Sequence, residues 1–452
     1  MKRSYVIKPL LDEFYPTIAS GKGIYLYDTE GNVYLDASSG AVTASIGHGV
    51  KEVIEAMNQQ AQHVSFVYRS QFTSEAAEKL AEKLNNWVGA SEPYYSFFVN
   101  SGSEATETAI KIAIQHYQEQ GRYQKTKILS RWTSYHGITL GALSLSGHKK
   151  RRERFASMLQ KNTVVPPPAC YRCPFGEAYP ACHLKCANEL EAAIERIGSE
   201  QIAAFIVEPI IGAAGAAIVP PRGYYEKIKE ICLRHDLLLI ADEVMTGIGR
   251  TGKPLGMDHW NVKPDILALG KGLSAGYTPL AATLCSETVL DPIRKGSNFI
   301  MSGHTFSANP QSAATAIAVL EYVEEHDLVR KAEENGRYLK AEIKKLFNQF
   351  TMIGDVRGIG MMVGIEFVRN RSSKEPFSAS LALTNRIVKQ AQQNGLLIYP
   401  AQSAKASGEG DAVMIAPPLN TTKVEIDQII ALFTKTLKEI ESDMVQERGR
   451  GM

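Results

Sequence analysis

Two short apolar runs end in groups that could do chemistry together. Leu237-Leu238-Leu239-Ile240-Ala241 stops at the carboxylates Asp242-Glu243, and Ile266-Leu267-Ala268-Leu269 stops at Gly270-Lys271-Gly272. Bounded by turn residues, both read as strands buried on two faces of a parallel sheet. Such sheets gather ligands at the carboxyl ends of their strands. An acid and an amine there meet the needs of pyridoxal 5'-phosphate. Its aldehyde is held as a Schiff base on a lysine, and its ring is an electron sink only while a buried carboxylate keeps the ring nitrogen protonated. On this reading Asp242 serves the nitrogen and Lys271 the aldehyde, while Gly270 and Gly272 let the backbone approach closely. Each half alone has a plainer reading, the acid as a turn or helix cap and Gly-Lys-Gly as an ordinary loop. The pairing says more than either half.

A phosphate must also be anchored. A strand at 96–99 runs into Asn100-Ser101-Gly102-Ser103-Glu104-Ala105 and then an amphipathic helix to about residue 120. Ser101 with Glu104 forms a capping box, which by itself accounts for a helix start. The same strand, glycine turn and helix N-terminus also present backbone N–H groups and a positive dipole end to an anion. Beside the lysine and aspartate, 101–103 is the candidate phosphate seat. After a strand at 127–130 comes Trp132-Thr133-Ser134-Tyr135-His136-Gly137. An aromatic there can stack on a pyridine ring, worth about 0.5–1.5 kcal/mol beyond burial, or be simple core. A strand at 202–207 ends at Glu208-Pro209, a small-residue loop spans 212–215, and a helix covers about 224–234.

The elements that must position these groups alternate strand and helix from about 95 to 285, which predicts a wound, mainly parallel α/β sheet flanked by helices. Ahead of it lie an arm at 1–20 and a hairpin whose strands, 23–28 and 32–36, flank Thr29-Glu30-Gly31. A polar loop containing Ser38-Ser39-Gly40 and Gly47-His48-Gly49 precedes a helix from about Val50, and another spans 74–88. Beyond Lys271 come a strand at 280–284, the glycine- and hydroxyl-rich loop 301–310, and a helix from near Gln311. The remainder is a compact α+β unit. It has helices at 328–347 and 379–394, strands at 361–368, 396–399 and 412–416, and a closing helix that starts at Thr422 with Glu425 as capping partner. The expected division is 1–50 for the arm and hairpin, 51–320 for the large cofactor-binding domain, and 321–452 for the C-terminal part of the small domain.

Bulk composition narrows the function classes. The 452 residues are 44% hydrophobic and 22% charged, with a formal charge of +2 from 50 basic and 48 acidic residues. That balance argues for no nucleic-acid or anionic-membrane partner. Neither a membrane span nor a signal-peptide core is visible, so the cytoplasm is the expected location. Four of the six cysteines cluster as Cys170-x2-Cys173-x8-Cys182-x3-Cys186 around His183, in a proline-rich excursion. Packed thiols, a structural metal and disulfides are all open there, and none of them enters the catalysis.

The chain resembles the class III, or omega-type, aminotransferases of the fold-type-I pyridoxal phosphate enzymes over nearly its full length. The matching residues are Leu35-Asp36 with Gly47-His48-Gly49, the 100–105 turn, Tyr135-His136-Gly137, Glu208-Pro209, Asp242-Glu243-Val244, Leu269-Gly270-Lys271-Gly272, Gly303-His304-Thr305-Phe306, Arg357-Gly358-Ile359-Gly360 and Ala416-Pro417-Pro418-Leu419. The resemblance implies a mainly parallel seven-stranded sheet and a smaller α+β domain built from both chain ends. It also implies that Ser101, Gly102 and Ser103 form the phosphate turn, that Tyr135 stacks on the ring with His136 beside it, that Val244 packs on the other face, and that Glu208 stands near the ring hydroxyl. Thr305 would reach the phosphate of a partner subunit's cofactor, which implies a homodimer with composite sites. Lys271 would shuttle the proton between substrate and cofactor carbons in a ping-pong transfer from an amine donor to a keto acid.

The pattern breaks where substrate is chosen. Relatives place a carboxylate-gripping arginine at positions that here fall at Tyr399-Pro400 or at Met414. Arg69 is the remaining candidate clamp, with Tyr399 beside the substrate, although a solvated loop arginine is an equal reading. An omega-amino acid or amine donor with pyruvate follows as the leading expectation. The alternatives are adenosylmethionine-8-amino-7-oxononanoate aminotransferase of biotin synthesis, whose usual aromatic residues near Ser39-Gly40-Ala41 are missing, and a decarboxylase or aminomutase on the same scaffold.

Overall fold

The computed structural model describes residues 5–405 and 408–450. It opens with β1 (Ile18–Lys22), β2 (Tyr25–Asp28) and β3 (Val33–Asp36), paired antiparallel in sequence. The β2–β3 hairpin is the expected one. β1 falls in the stretch read as an arm, because its residues are mostly exposed and give no alternation.

The main sheet is built from β4 (Tyr94–Val99), β5 (Lys127–Arg131), β6 (Thr163–Val165), β7 (Ile202–Val207), β8 (Leu238–Asp242), β9 (Ile266–Leu269) and β10 (Ala281–Ser286), in the order β4-β10-β9-β8-β7-β5-β6. Neighbours from β9 through β6 run parallel, while β10 is antiparallel to both β9 and β4. Parallel neighbours need long crossovers, and helix Tyr224–Arg234 supplies the one between β7 and β8, while helix Gly102–Gln118 carries the chain from the edge strand β4 across to β5. Only the short 3-10 turn Lys271–Leu273 lies between β9 and β10, with no α-helix to make a crossover, so the strand turns back. Every residue of β7, β8, β9 and β10 is buried, as expected for strands covered on both faces.

A second sheet joins β11 (Ile353–Gly358), β12 (Val363–Phe367), β14 (Tyr399–Gln402) and β15 (Asp411–Ile415), all antiparallel. β13 (Leu396–Leu397) leaves that sheet and runs parallel beside β3, with Leu396 opposite Leu35, so the two chain ends share one sheet. Helix Pro310–Glu325 starts with proline in its first turn and the Asn309 side chain accepting from Ser312 N at 3.0 Å. It serves two cores. Ala313, Ala316 and Leu320 pack into the main one, and Ala318, Val319 and Val323 into the one that includes β12, β15 and the closing helix Lys423–Arg450.

Two capping boxes were expected. At Thr422 both bonds form, Glu425 N to Thr422 Oγ1 at 3.3 Å and Thr422 N to Glu425 Oε2 at 2.7 Å. At Ser101 only the first half does, with Glu104 N donating to Ser101 Oγ at 3.2 Å. The Glu104 carboxylate reaches one residue further, to Asn100 N at 2.7 Å. The cysteine excursion folds as a proline-lined hollow onto which Cys170, Cys173, Cys182 and Cys186 face, and all four thiols are free, which removes the disulfide reading. Among the described residues no group of three or more metal-ligating side chains is arranged to hold an ion, and no helix is long and apolar enough to cross a membrane.

Candidate active site

The ends of β8 and β9 deliver Asp242 and Lys271 to the wall of one cavity of about 170 Å³. Lys271 lies one glycine past β9, at a φ of 44° in the left-handed region, a conformation held by its surroundings at a cost on the order of 1 kcal/mol. Its Nζ donates to Ala41 O at 2.9 Å. Burial pulls its amine down to about 8, against the opposing pull of the Asp242 and Glu208 charges and with the help of Arg151 and Arg250. The amine therefore sheds its proton near pH 8, well below the ordinary lysine range.

Asp242 is buried at the end of β8, where Oδ1 accepts Val244 N at 3.1 Å and Oδ2 lies 2.9 Å from His136 Nδ1. His136 is itself fixed: its N–H donates to Ser146 Oγ at 2.8 Å and its carbonyl accepts Thr106 Oγ1 at 2.8 Å. These bonds anchor the backbone that carries the imidazole, and the ring, through Nδ1, sets the direction in which the carboxylate points. Glu208, just past β7, has both oxygens engaged, Oε1 by Tyr135 N at 2.9 Å and Oε2 by Gly212 N at 3.0 Å. Burial raises its pKa, the Asp242 charge adds to the rise, and His136 with the two backbone donors opposes it.

Gly102 and Ser103 begin helix Gly102–Gln118 at the far side of the same cavity. A Cβ on Gly102 would lie 2.9 Å from Val244 Cγ1, so this position must be glycine for Val244 to stand where it does. Ser103 Oγ accepts Ile138 N at 3.0 Å, which ties the helix start to the loop that carries Tyr135 and His136. Gly270 answers to the same neighbour, since its Cβ would fall 3.3 Å from Val244 Cγ1; at Gly272 the space is ordinary, 3.4 Å from Ile248 Cβ.

Of the residues singled out in the sequence, Gly102, Ser103, Tyr135, His136, Glu208, Asp242, Val244 and Lys271 all face this cavity. The others do not. Ser101 is exposed, with its hydroxyl committed to the helix cap. Thr305 lies exposed in the 301–308 loop. Arg69 stacks on Phe97 at 4.5 Å and donates to Ser302 O at 2.6 Å, so its guanidinium fastens a loop. Tyr399 is half-buried on β14, its phenol pushed up by burial and drawn back by the charge of Arg151 and a hydrogen bond to it. Ile210, Met245 and Thr246 also line the cavity and went unread, although the last two directly follow the Asp242 motif. Buried Arg250 donates to Met361 O at 3.0 Å and Pro417 O at 2.5 Å, binding the site to the second core.

A wound sheet carrying a lysine amine and a locked carboxylate at adjacent strand ends is the architecture of a fold-type-I transferase. The family described as Aminotransferase class-III matches residues 9–437, and the chain belongs to it. It is similar to the uncharacterized aminotransferase YodT of Bacillus subtilis, 50% identical over 98% of this chain and 100% of that protein. It is 37% identical to the taurine–pyruvate aminotransferase of Bilophila wadsworthia, over 95% and 93% of the two chains. Among solved structures, an (S)-enantioselective omega-transaminase from Thermomicrobium roseum superimposes with a TM-score of 0.88 at 34% identity, covering 95% of this chain and 93% of that one. The protein is an aminotransferase.

Proposed function

We propose that the chain uses pyridoxal 5'-phosphate to move an amino group from an omega-amino acid or amine donor to a keto acid such as pyruvate, by ping-pong turnover. The observation that carries this reading is the convergence of the Lys271 amine and the Asp242 carboxylate on one cavity. The residues present fit the cofactor. A cradle at Gly102 that a Cβ would fill, a helix N-terminus at Ser103 and a buried His136 Nε2 lacking a partner among the described residues all face that space. When bound, the cofactor supplies a carbonyl carbon and a protonated ring that accepts the electron pair released at the substrate carbon.

The chain's own groups do the rest. Asp242, aimed by His136, holds the ring-nitrogen proton, and Glu208, pinned by two backbone N–H groups, offers its remaining lone pairs to the ring hydroxyl. Tyr135 and Val244 supply apolar wall, and the turn at Gly102 and Ser103 seats the phosphate. Lys271 Nζ, neutral for a substantial fraction of the time near pH 8, takes the proton from the donor carbon and returns it. Thr305, outside this cavity in its own chain, is proposed to serve the other subunit's site in a cytoplasmic homodimer. The division at about 50 and 320 belongs to the same reading, with helix Pro310–Glu325 as the shared boundary element. The taurine–pyruvate relative supports pyruvate as acceptor.

A donor panel tested with pyruvate, 2-oxoglutarate and S-adenosylmethionine, with the half-reaction followed spectrally, decides among donors. Turnover confined to S-adenosylmethionine overturns the donor assignment, and carbon dioxide or an isomerised product from donor alone overturns the reaction assignment. Lys271→Ala should lose the visible band of the bound cofactor and all turnover; retained turnover refutes the site.

A further inference from the structure

The run Lys149-Lys150-Arg151-Arg152 forms a single helical turn with two arginines in opposite situations. Arg152 is spent on structure, its Nη1 donating to the carbonyls of Leu143, Ser144 and Ser146 at 2.7, 2.9 and 2.7 Å. Arg151 is half-buried, with its Cζ 4.4 Å from the centroid of the Tyr135 ring, itself a wall of the Lys271 cavity. Among the described residues no ion pair involves Arg151. A guanidinium held against an aromatic face without a counter-ion retains most of its donors for a ligand.

Its neighbours face the same way. Arg151 also lines a second cavity, of about 600 Å³, together with His148 and Gln402. His148 Nδ1 and Gln402 Nε2 are buried, and neither has a hydrogen-bond partner among the described residues. Burial drops the imidazole to about 4, so it stands there uncharged. The carboxylates in that wall are engaged elsewhere, Asp411 by Thr384 N and Oγ1 at 2.8 Å each and Glu409 by Lys405 Nζ at 2.6 Å. Unsatisfied buried polar groups beside an unpaired cation mark a place built for an acceptor. The Arg151 charge is felt both at Lys271 and at Tyr399, the position at which the sequence lacks a cation.

We propose that Arg151, beside Tyr135 and with Gln402, binds the acid group of the amine donor, which makes the enzyme selective for omega-amino acids, carboxylic or sulfonic, over plain amines. The cation absent at 399 and 414 is thus supplied from a different element that reaches the same space. This inference rests on the transaminase reading above and refines its donor class.

The test compares holoenzyme in the first half-reaction, without keto acid, on 3-aminopropanoate, 4-aminobutanoate, 5-aminopentanoate and taurine against alkylamines of equal length. Wild type should favour the acids by about 10- to 100-fold in kcat/KM, the usual worth of a charge-assisted pair. Arg151→Met should erase at least tenfold of that preference through KM, Arg151→Lys should restore part of it, and Lys149→Met, at an exposed position outside that cavity wall, should change it less than twofold. Pentanoate, which has no amine to react, should bind the wild-type holoenzyme calorimetrically at least tenfold more tightly than Arg151→Met. Equal acid preference in wild type and Arg151→Met, or an equal loss in Lys149→Met, overturns the proposal while leaving transamination standing. Wild-type inactivity on every donor refutes the transaminase reading instead.

Discussion

Replacing Lys271 by methionine should stabilise the cofactor-free protein, and by an amount that depends on pH. The Lys271 amine sits at about 8 in the fold and at its ordinary 10.5 in the unfolded chain. Below about pH 8 both states hold the proton, and the folded state bears the whole cost of a desolvated ammonium. Between about 8 and 10.5 the unfolded chain holds a proton that the fold has shed, so stability rises with pH across that window. At 1.36 kcal/mol per pH unit the cost at pH 7 is at most about 3 kcal/mol. For 452 residues, at roughly 2.1 cal/mol/K of unfolding entropy per residue, that is at most about 3 °C in melting temperature. Thermal melts of the cofactor-free wild type and Lys271→Met at pH 7 and pH 10 read it directly. The variant should melt higher at pH 7, and the gap should narrow at pH 10. A gap independent of pH, or one that widens upward, would show that the amine is not desolvated and that the proton-shuttle argument lacks its physical basis.

Two further outcomes follow from specific contacts. Gly102→Ala places a methyl 2.9 Å from Val244 Cγ1 and should weaken cofactor binding about tenfold or more; adding Val244→Ala should recover part of the loss, and strictly additive effects on the dissociation constant would refute the steric argument. Glu366 is wholly buried, with Oε2 2.8 Å from Arg357 Nη2 and Oε1 bonded to Arg172 Nε, and these partners hold its pKa below the ordinary value of 4.5. Its stabilisation is present above pH 4.5 and fades as the pH falls further, so Glu366→Gln should cost about 3–5 kcal/mol at pH 7 and lose less than wild type on acidification, which parallel denaturation curves across pH would contradict.

The parallel sheet was legible because β7, β8 and β9 are apolar runs with a charge only at the end, and that same feature exposes Glu208, Asp242 and Lys271. β6 was not legible, being three residues long. β11 was hidden by Gly354, Asp355, Arg357 and Gly358, which break any alternation. Arg357 has one carboxylate, Asp355, on its own strand, but its fully buried partner Glu366 arrives only when β12 pairs alongside, a fact that no local window contains. The proposed substrate contact was hidden for a related reason. Arg69 stood out as an isolated loop cation, whereas Arg151 lay inside a four-residue basic run that reads as a solvated face. Only the folded chain separates Arg152, capped onto three carbonyls, from its neighbour turned over Tyr135.

The pairing of β3 with β13 has a consequence for biosynthesis. Leu35 leaves the ribosome about 360 residues before Leu396, its partner across the sheet. At roughly 5–20 residues per second the nascent hairpin waits about 20–70 s with a strand edge open to any other chain nearby. The last part of the sheet to be made is also followed, two residues beyond β13, by Tyr399 on β14, so that residue finds its place only once β3 and β13 have met. Chaperone demand during translation should therefore concentrate on the first forty residues, long before any catalytic group has been placed.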